Sequence, residues 1–102
     1  RATWLVLLRG GEVLLERRPG TGIWGGLWTF PEFSTAYQIR KRKRLPPFEH
    51  GFTHFRLRVQ PLLCQVEKLR ERPGQMWLPL NDAVAAAVPA PVKALLAQLA
   101  RE

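Results

Sequence analysis

The sequence predicts one α+β domain in which a mixed or antiparallel sheet is flanked by helices. Its 102 residues fit a single domain, and a hydrophobic fraction of 46% excludes disorder as the main state. Residues 3–9 and 12–16 are apolar and are separated only by Gly10 and Gly11, which favours a tight hairpin because glycine readily adopts positive φ. Apolar residues at helical spacing predict a terminal helix with one buried face: Val92, Leu95, Leu96 and Leu99.

Glycine and proline divide the first half of the chain. Residues 17–26 are rich in glycine and predict a loop, and residues 27–33 predict a short strand that ends at a proline. Residues 35–44 begin with a capping-box pattern, so we expect a short helix there. The two prolines at 46–47 would stop that helix.

The second half of the chain predicts strands followed by helices. Residues 52–66 carry the longest β pattern, in which apolar side chains alternate with basic ones. Pro61 marks the middle of that strand as an edge or a bulge, because proline has no N–H to donate. Residues 76–80 predict another strand, and a polar residue at 81–82 is expected to cap a helix over residues 83–88.

Charge and cysteine content restrict the function classes. The formal net charge of +8 favours a polyanionic partner, either nucleic acid or an anionic membrane face. The alternative is that the positive charge serves only to keep the protein soluble. The chain contains no run of about 18 apolar residues, so no transmembrane helix is predicted. Cys64 is the sole cysteine and lies among leucines, which predicts a buried thiol. One cysteine excludes a disulfide framework, a thiolate zinc site and a cysteine-ligated iron–sulfur cluster.

Three segments resemble one protein family. Residues 14–32 combine a strand, a glycine-hinged loop bearing Trp24, and a second strand. They are similar to the start of a Nudix-type fold, in the form found in the C-terminal domain of MutY-type adenine DNA glycosylases. Residues 50–57, HGFTHFRL, resemble the lesion-reading loop of that family and the strand after it. Trp77 with residues 89–92 and 95–96 resembles its closing segment, so the likeness covers nearly the whole chain.

The resemblance implies a division of labour within a longer enzyme. Residues 1–102 would be the Nudix-like recognition domain of a glycosylase that excises adenine mispaired with 8-oxoguanine or guanine. A covalently linked N-terminal domain would cleave the N-glycosidic bond and carry a 4Fe–4S cluster. The implied partner is double-stranded DNA with 8-oxoguanine mispairs, and no membrane is implied. We expect a cytoplasmic location, at the bacterial nucleoid when on DNA, and no cofactor or catalysis in this chain alone.

Two alternatives come from other function classes. A free-standing Nudix pyrophosphohydrolase shares the fold but holds Mg²⁺ with glutamates clustered on a helix, because hard cations require several carboxylate oxygens. Residues 33–44, FSTAYQIRKRKR, contain no acid at that place, and only Glu32 and Glu49 flank them. The sequence therefore predicts no metal site. A nucleic-acid binding module without lesion preference is the second alternative.

Basic residues predict a surface for DNA phosphates. The five consecutive cations at 40–44 repel one another, so they require either phosphates or water around them. Contact with DNA phosphates is one interpretation, and a solvated surface without a partner is the alternative. Arg56 and Arg58 are expected to extend this surface. The expected DNA-backbone contacts are Arg17, Arg18, Arg40, Lys41, Arg42, Lys43 and Arg44.

The resemblance assigns lesion recognition to Phe52, Thr53 and His54. Guanine N7 is an acceptor, whereas 8-oxoguanine carries an N–H there and a carbonyl at C8, and a hydroxyl such as that of Thr53 can both donate and accept. Phe52 would stack or wedge beside the base, and His54 would bridge to the lesion or a phosphate. The family usually has serine at position 53, and the extra methyl stiffens χ1. From the residues alone, a core role for Phe52 and Trp24 and a structural role for His54 remain open.

Overall fold

The first two strands form the predicted hairpin. The computed structural model describes residues 1–34, 37, 39 and 41–102. Strand β1 spans Ala2–Arg9, strand β2 spans Glu12–Arg17, and the two pair antiparallel. Gly10 has a φ of 63° at the turn, a conformation that glycine adopts without steric cost. The prediction of a hairpin around the glycine pair is confirmed.

The other elements complete a mixed sheet with two helices. Among the described residues, the strands follow the order β3-β2-β1-β6-β4, with β5 also beside β6 and β7 beside β2. Strands β1 and β6 are parallel, and the other pairs are antiparallel. This confirms the α+β class. The elements are β3 Trp28–Thr29, β4 Lys43–Arg44, β5 Phe48–Gly51, β6 Arg56–Gln65, β7 Gln75–Pro79, α1 Leu80–Val84 and α2 Ala90–Ala100.

Strand β1 supplies the core on both faces of the sheet. Val6 belongs to a buried cluster that includes Leu96 of α2, whereas Leu7 belongs to a second cluster with Cys64 and Tyr37. A strand covered on both faces reads as a continuous apolar run, as this one does. The predicted burial of Cys64 is confirmed.

The two helices follow β7 at the end of the chain. Helix α2 has its proline in the first turn and buries Val92, Leu96 and Leu99, as predicted. Helix α1 begins at Leu80, directly after the strand, and has no side-chain cap, so the helix predicted over residues 83–88 is displaced and its predicted cap is wrong. Within the described part of the chain, neither helix is long and apolar enough to cross a membrane.

The helix predicted over residues 35–44 is wrong at its end. Lys43 and Arg44 form β4, which pairs with β6, and residues 41–42 are not helical. In a helix, like charges three and four residues apart repel, whereas a strand directs successive side chains to opposite faces and adds ladder hydrogen bonds. Positions 35, 36, 38 and 40 of the predicted helix lie outside the described residues.

Pro61 lies where the ladder beside β6 is interrupted. Strand β4 pairs with the second half of β6 and β5 with the first half, so residues 45–47 lie opposite only two residues of β6. The Gln60 side-chain amide donates to the Leu45 carbonyl oxygen at 2.8 Å, and the Leu45 N–H donates to the Pro61 carbonyl oxygen at 3.1 Å. Strand β6 itself is continuous and inner, so the extra residue belongs to the facing segment 45–47 and not to the strand of Pro61, where an edge or a bulge was predicted. A residue without an N–H fits this interruption.

Candidate nucleic-acid interface

Strands β5 and β6 form a hairpin whose tip is Thr53-His54. Gly51 lies opposite Arg56, and the Phe52 N–H donates to the Phe55 carbonyl oxygen at 2.7 Å, which closes the turn. Thr53 and His54 are both exposed at the tip. Two of the three residues expected to read the lesion therefore project into solvent, on a turn fixed by a strand on each side.

Phe52, the third of these residues, packs between the tip and the aromatic rings that lead to the core. It is half-buried and contacts Trp24 with ring centroids 5.5 Å apart, His50 at 4.9 Å and Phe55 at 4.7 Å. Trp24 in turn contacts the buried ring of Trp4 at 6.1 Å. A continuous series of rings therefore joins the hydrophobic core to the tip. Such contacts between aromatic rings restrict the orientation of the hairpin.

The glycine-rich loop fixes Trp24 under the hairpin. Trp24 has a φ of 56°, and the loop is closed by a hydrogen bond from the Leu27 N–H to the Trp24 carbonyl oxygen at 3.0 Å. Gly25 lies against Gly20, so that a Cβ on Gly25 would be 2.7 Å from the Gly20 carbonyl oxygen. Trp24 packs on the core cluster, which supports the core role left open by the sequence.

An acidic side chain lies among the cations of the hairpin. Arg58 donates to Glu49 at 3.0 Å, and Arg56 lies 3.8 Å from the same carboxylate. The side chains of Arg56 and Arg58 are 79% and 62% exposed. Both arginines remain accessible to a polyanion, which would have to displace only a weak surface ion pair with Glu49.

The two arginines at the end of β2 differ in accessibility. Arg17 is exposed, and its Nε donates to the Gly26 carbonyl oxygen at 3.3 Å. Arg18 is half-buried and lies 3.8 Å from Glu32, and its Nε is buried without a hydrogen-bond partner among the described residues. A cleft of about 60 Å³ separates Arg18 from Leu57 and Trp24. Of the two, Arg17 is the side chain free to reach a phosphate.

The basic strand β4 lies away from the tip. Lys43 and Arg44 pair with Leu63 and Leu62, six to seven residues along β6 from Arg56, which corresponds to roughly 20 Å. Residues 41–44 are exposed, and Arg44 donates to the Gln60 side-chain oxygen at 3.0 Å. The structure therefore separates these cations from the expected lesion contacts. Arg40, also expected at the DNA backbone, lies outside the described residues.

Comparison with known proteins identifies the family. A family model described as "NUDIX domain" matches residues 3–98, nearly the full chain. The chain belongs to the NUDIX domain family. The Nudix-like fold predicted from the sequence is confirmed.

Relatives of this NUDIX domain include DNA repair enzymes. An adenine DNA glycosylase of Buchnera aphidicola subsp. Baizongia pistaciae (strain Bp) is 24% identical over 110 residues, which cover 94% of this chain and 31% of the relative. The C-terminal domain of mouse MUTYH, solved in complex with human PCNA, has a TM-score of 0.74 at 20% identity and covers 98% of this chain and 88% of its own. The NUDIX domain of Shewanella oneidensis NrtR, solved with ADP ribose, has a TM-score of 0.71 at 13% identity, covering 98% and 84%.

These comparisons bear on the kinship that the sequence predicts. The predicted kinship with MutY-type adenine DNA glycosylases is confirmed, since the chain is homologous to them. The chain spans about a third of the length of the curated relatives it matches. The likeness to the solved structures, all at low identity, concerns the fold.

In the described part of the NUDIX domain, Glu16, Glu32 and Glu49 do not fit a magnesium site. Glu49 faces two arginines, Glu32 faces Arg18, and Glu16 accepts a hydrogen bond from the Gln75 side chain at 2.9 Å. Over the part of the chain that the structure describes, no three acidic, histidine or cysteine side chains are grouped as metal ligands. A divalent cation held against a diphosphate requires several carboxylate oxygens, and these are engaged elsewhere.

The sequence pattern did not indicate the surroundings of two residues of the NUDIX domain's hairpin, Phe55 and Glu49. The alternation over residues 52–66 predicts Phe55 on the apolar face, where its ring does stack on Phe52, but the pattern did not indicate that Phe55 is 45% exposed. Glu49 was treated as an isolated acid, but it lies opposite Arg58. A two-residue turn at Thr53-His54 would have given this register, since pairing then follows directly from the turn.

Proposed function

We propose that this NUDIX domain recognises 8-oxoguanine in DNA, as part of an adenine DNA glycosylase that excises adenine mispaired with 8-oxoguanine or guanine. The observation that carries the proposal is the exposed tip Thr53-His54, held by a series of aromatic rings that begins in the core. A rigid support is what a reader of single-atom differences requires, because recognition groups lose less entropy when their positions are fixed in advance. Homology to adenine DNA glycosylases supports the substrate class.

Each residue of the site has a separate task in this proposal. The hydroxyl of Thr53 accepts from the N7–H of the lesion or donates to its C8 carbonyl, whereas guanine presents only an acceptor at N7. His54 bridges to the lesion or to a neighbouring phosphate. Phe52 fixes the turn, and its exposed part lies beside the base.

DNA phosphates would be contacted by two groups of cations. Arg17 and Arg18 lie at the start of the glycine-rich loop; Arg17 is exposed and would make the direct contact, whereas half-buried Arg18 would have to leave Glu32 to reach a phosphate. The run 40–44, of which the structure describes residues 41–44, lies farther along β6 and would contact the backbone beyond the lesion. Such contacts position the protein and carry no sequence information, so we assign the preference for the lesion to the tip alone.

Excision of adenine belongs to another part of the parent enzyme in this proposal. The curated relatives are about three times as long as this chain, which leaves room for an N-terminal catalytic domain. A 4Fe–4S cluster would lie there, because clusters of this kind take four thiolates and this chain has one buried cysteine. We propose that residues 1–102 alone cleave no bond, and that the parent enzyme acts in the cytoplasm at the nucleoid.

An amide titration by NMR tests the proposal. The chain is titrated with two duplexes that differ only in 8-oxoguanine or guanine opposite adenine. We expect lesion-specific shifts at residues 52–54, and shifts common to both duplexes at residues 41–44. Equal shifts from both duplexes at every residue would contradict lesion recognition and leave a nucleic-acid binding module. Mg²⁺-dependent release of pyrophosphate from nucleoside triphosphates would instead support a hydrolase.

A further inference from the structure

The most exposed part of the aromatic series is Phe55. Its ring stacks on Phe52 at 4.7 Å with an interplanar angle of 20°, the most nearly parallel ring pair among the described residues. One face of Phe55 is therefore covered, and its 45% exposure belongs to the other face and the edges. An aromatic ring supported from behind and open in front offers a flat apolar surface to a partner.

Phe33 shows that exposure alone does not produce such a surface. It is exposed to a similar extent, 44%, but the guanidinium carbon of Arg42 lies over its ring, 5.1 Å from the centroid. A cation on the ring face already satisfies that face. Phe55 has Phe52 behind it and two exposed arginines, Arg56 and Arg58, following it along the strand.

We infer that Phe55 stacks on a base of the DNA next to the one that Thr53 reads, with Phe52 as its support. This inference rests on the function proposed above and adds a residue to the site. The flat ring suits a base because every base has an aromatic face. The exposed Arg56 and Arg58 at the start of β6 favour a polyanion over an apolar protein surface, since charged residues are depleted at the centre of protein–protein interfaces.

The test compares substitutions at Phe55 with a matched substitution at Phe33. Phe55→Ala is expected to weaken binding of the 8-oxoguanine duplex by about tenfold, and Phe55→Trp to retain it. Phe55→Leu keeps apolar bulk without a flat ring, so it should lose most of the affinity if stacking is the cause. Phe33→Ala, at equal exposure, leaves the exposed charge of Arg42 in place and is expected to stay within about twofold of the wild type. Affinities are measured by fluorescence anisotropy with the 102-residue chain, and unfolding curves verify that each variant is folded.

The position of the ring is tested by a fluorescent base. With 2-aminopurine placed beside the lesion, binding of the wild type is expected to change the emission of 2-aminopurine. Binding of Phe55→Leu is expected to leave that emission nearly unchanged. If the wild type prefers the lesion and Phe55→Ala binds as tightly, the inference is overturned and the proposed function stands. If the wild type binds both duplexes equally and Phe55→Ala weakens both, stacking is supported and lesion recognition is contradicted. If the wild type binds neither duplex, the stacking inference and the proposed function are both contradicted.

Discussion

Arg58 donates two hydrogen bonds to a single carboxylate oxygen of Glu49, from Nε at 3.2 Å and from Nη2 at 3.0 Å. The second oxygen of Glu49 lies 3.8 Å from Arg56. Because Glu49 lies four residues before Thr53 on the facing strand, it neutralises part of the positive charge beside the tip. A phosphate approaching the hairpin must compete with this carboxylate for both guanidinium groups.

Replacing Glu49 with glutamine should increase the affinity for any duplex. Surface ion pairs contribute roughly 0.2–1 kcal/mol, so releasing the arginines is expected to tighten binding about two- to fivefold, with or without a lesion. The slope of log affinity against log salt should steepen by about 1 to 2, one phosphate contact for each cation released. Anisotropy titrations at several salt concentrations measure both quantities.

Glu12→Gln is the matched control for this prediction. Glu12 also pairs with an arginine at 3.0 Å and has similar exposure, but it lies at the β1–β2 turn rather than at the tip. It should leave DNA binding unchanged. A tightening confined to the lesion duplex in Glu49→Gln would contradict a purely electrostatic role for Glu49.

Thr53→Val should reduce discrimination between 8-oxoguanine and guanine. Valine keeps the shape of threonine and deletes the hydroxyl, so one hydrogen bond to the lesion is lost. The ratio of dissociation constants for the two duplexes is expected to fall about three- to tenfold, with little effect on the guanine duplex. Thr53→Ser keeps the hydroxyl and should preserve the ratio. An unchanged ratio in Thr53→Val would remove the hydroxyl from the recognition mechanism.

Local patterns predicted the parts of the fold that local forces determine. The glycine pair at 10–11 gave the first hairpin, and the apolar spacing after Pro91 gave helix α2. Strand β4 could not be found in the same way, because Lys43 and Arg44 have no strand pattern of their own. They extend because β6, about twenty residues later in the chain, supplies the hydrogen-bond partners.

The resemblance supplied the residues of the candidate site but not their geometry. Resemblance alone pointed to residues 52–54, since nothing in their spacing distinguishes a lesion-reading turn from any other. Alternation along the strand placed Phe55 on the apolar face, where it stacks on Phe52, but it could not show that this end of the face stays 45% exposed. The contact of Phe52 with Trp24 joins segments nearly thirty residues apart, which no local pattern indicates.

Gly25→Ala should destabilise the loop that holds Trp24. The added methyl would lie 2.7 Å from the Gly20 carbonyl oxygen, a backbone atom that cannot move without opening the loop. We expect a loss of about 1–3 kcal/mol in the free energy of unfolding, measured by urea denaturation, and faster amide exchange at residues 22–27. Gly20→Ala is the control, because a Cβ there meets no atom within 4 Å and its φ is not in the left-handed region. Equal stability of both variants would show that the close approach is not needed.

Cys64 should make stability depend on pH above neutrality. Burial raises the pKa of the Cys64 thiol, and the positive charge of Arg42 opposes this to a smaller extent. In the unfolded chain the thiol ionises near its ordinary pKa of about 8.5, whereas in the folded chain it stays protonated to higher pH. The unfolded state therefore loses its proton first, and the free energy of unfolding should fall as pH rises past about 8.5.

Cys64→Ala separates the thiol from other groups that titrate in the same range. This variant is expected to be less stable at pH 7, because it leaves a small cavity beside Leu7, and its stability should fall less steeply between pH 8 and 10 than that of the wild type. Alkylation of the wild type by iodoacetamide should be slow at pH 8 and become fast in urea, since the thiolate forms only after exposure. Parallel pH profiles for the two proteins, or rapid alkylation without urea, would contradict a buried thiol with a raised pKa.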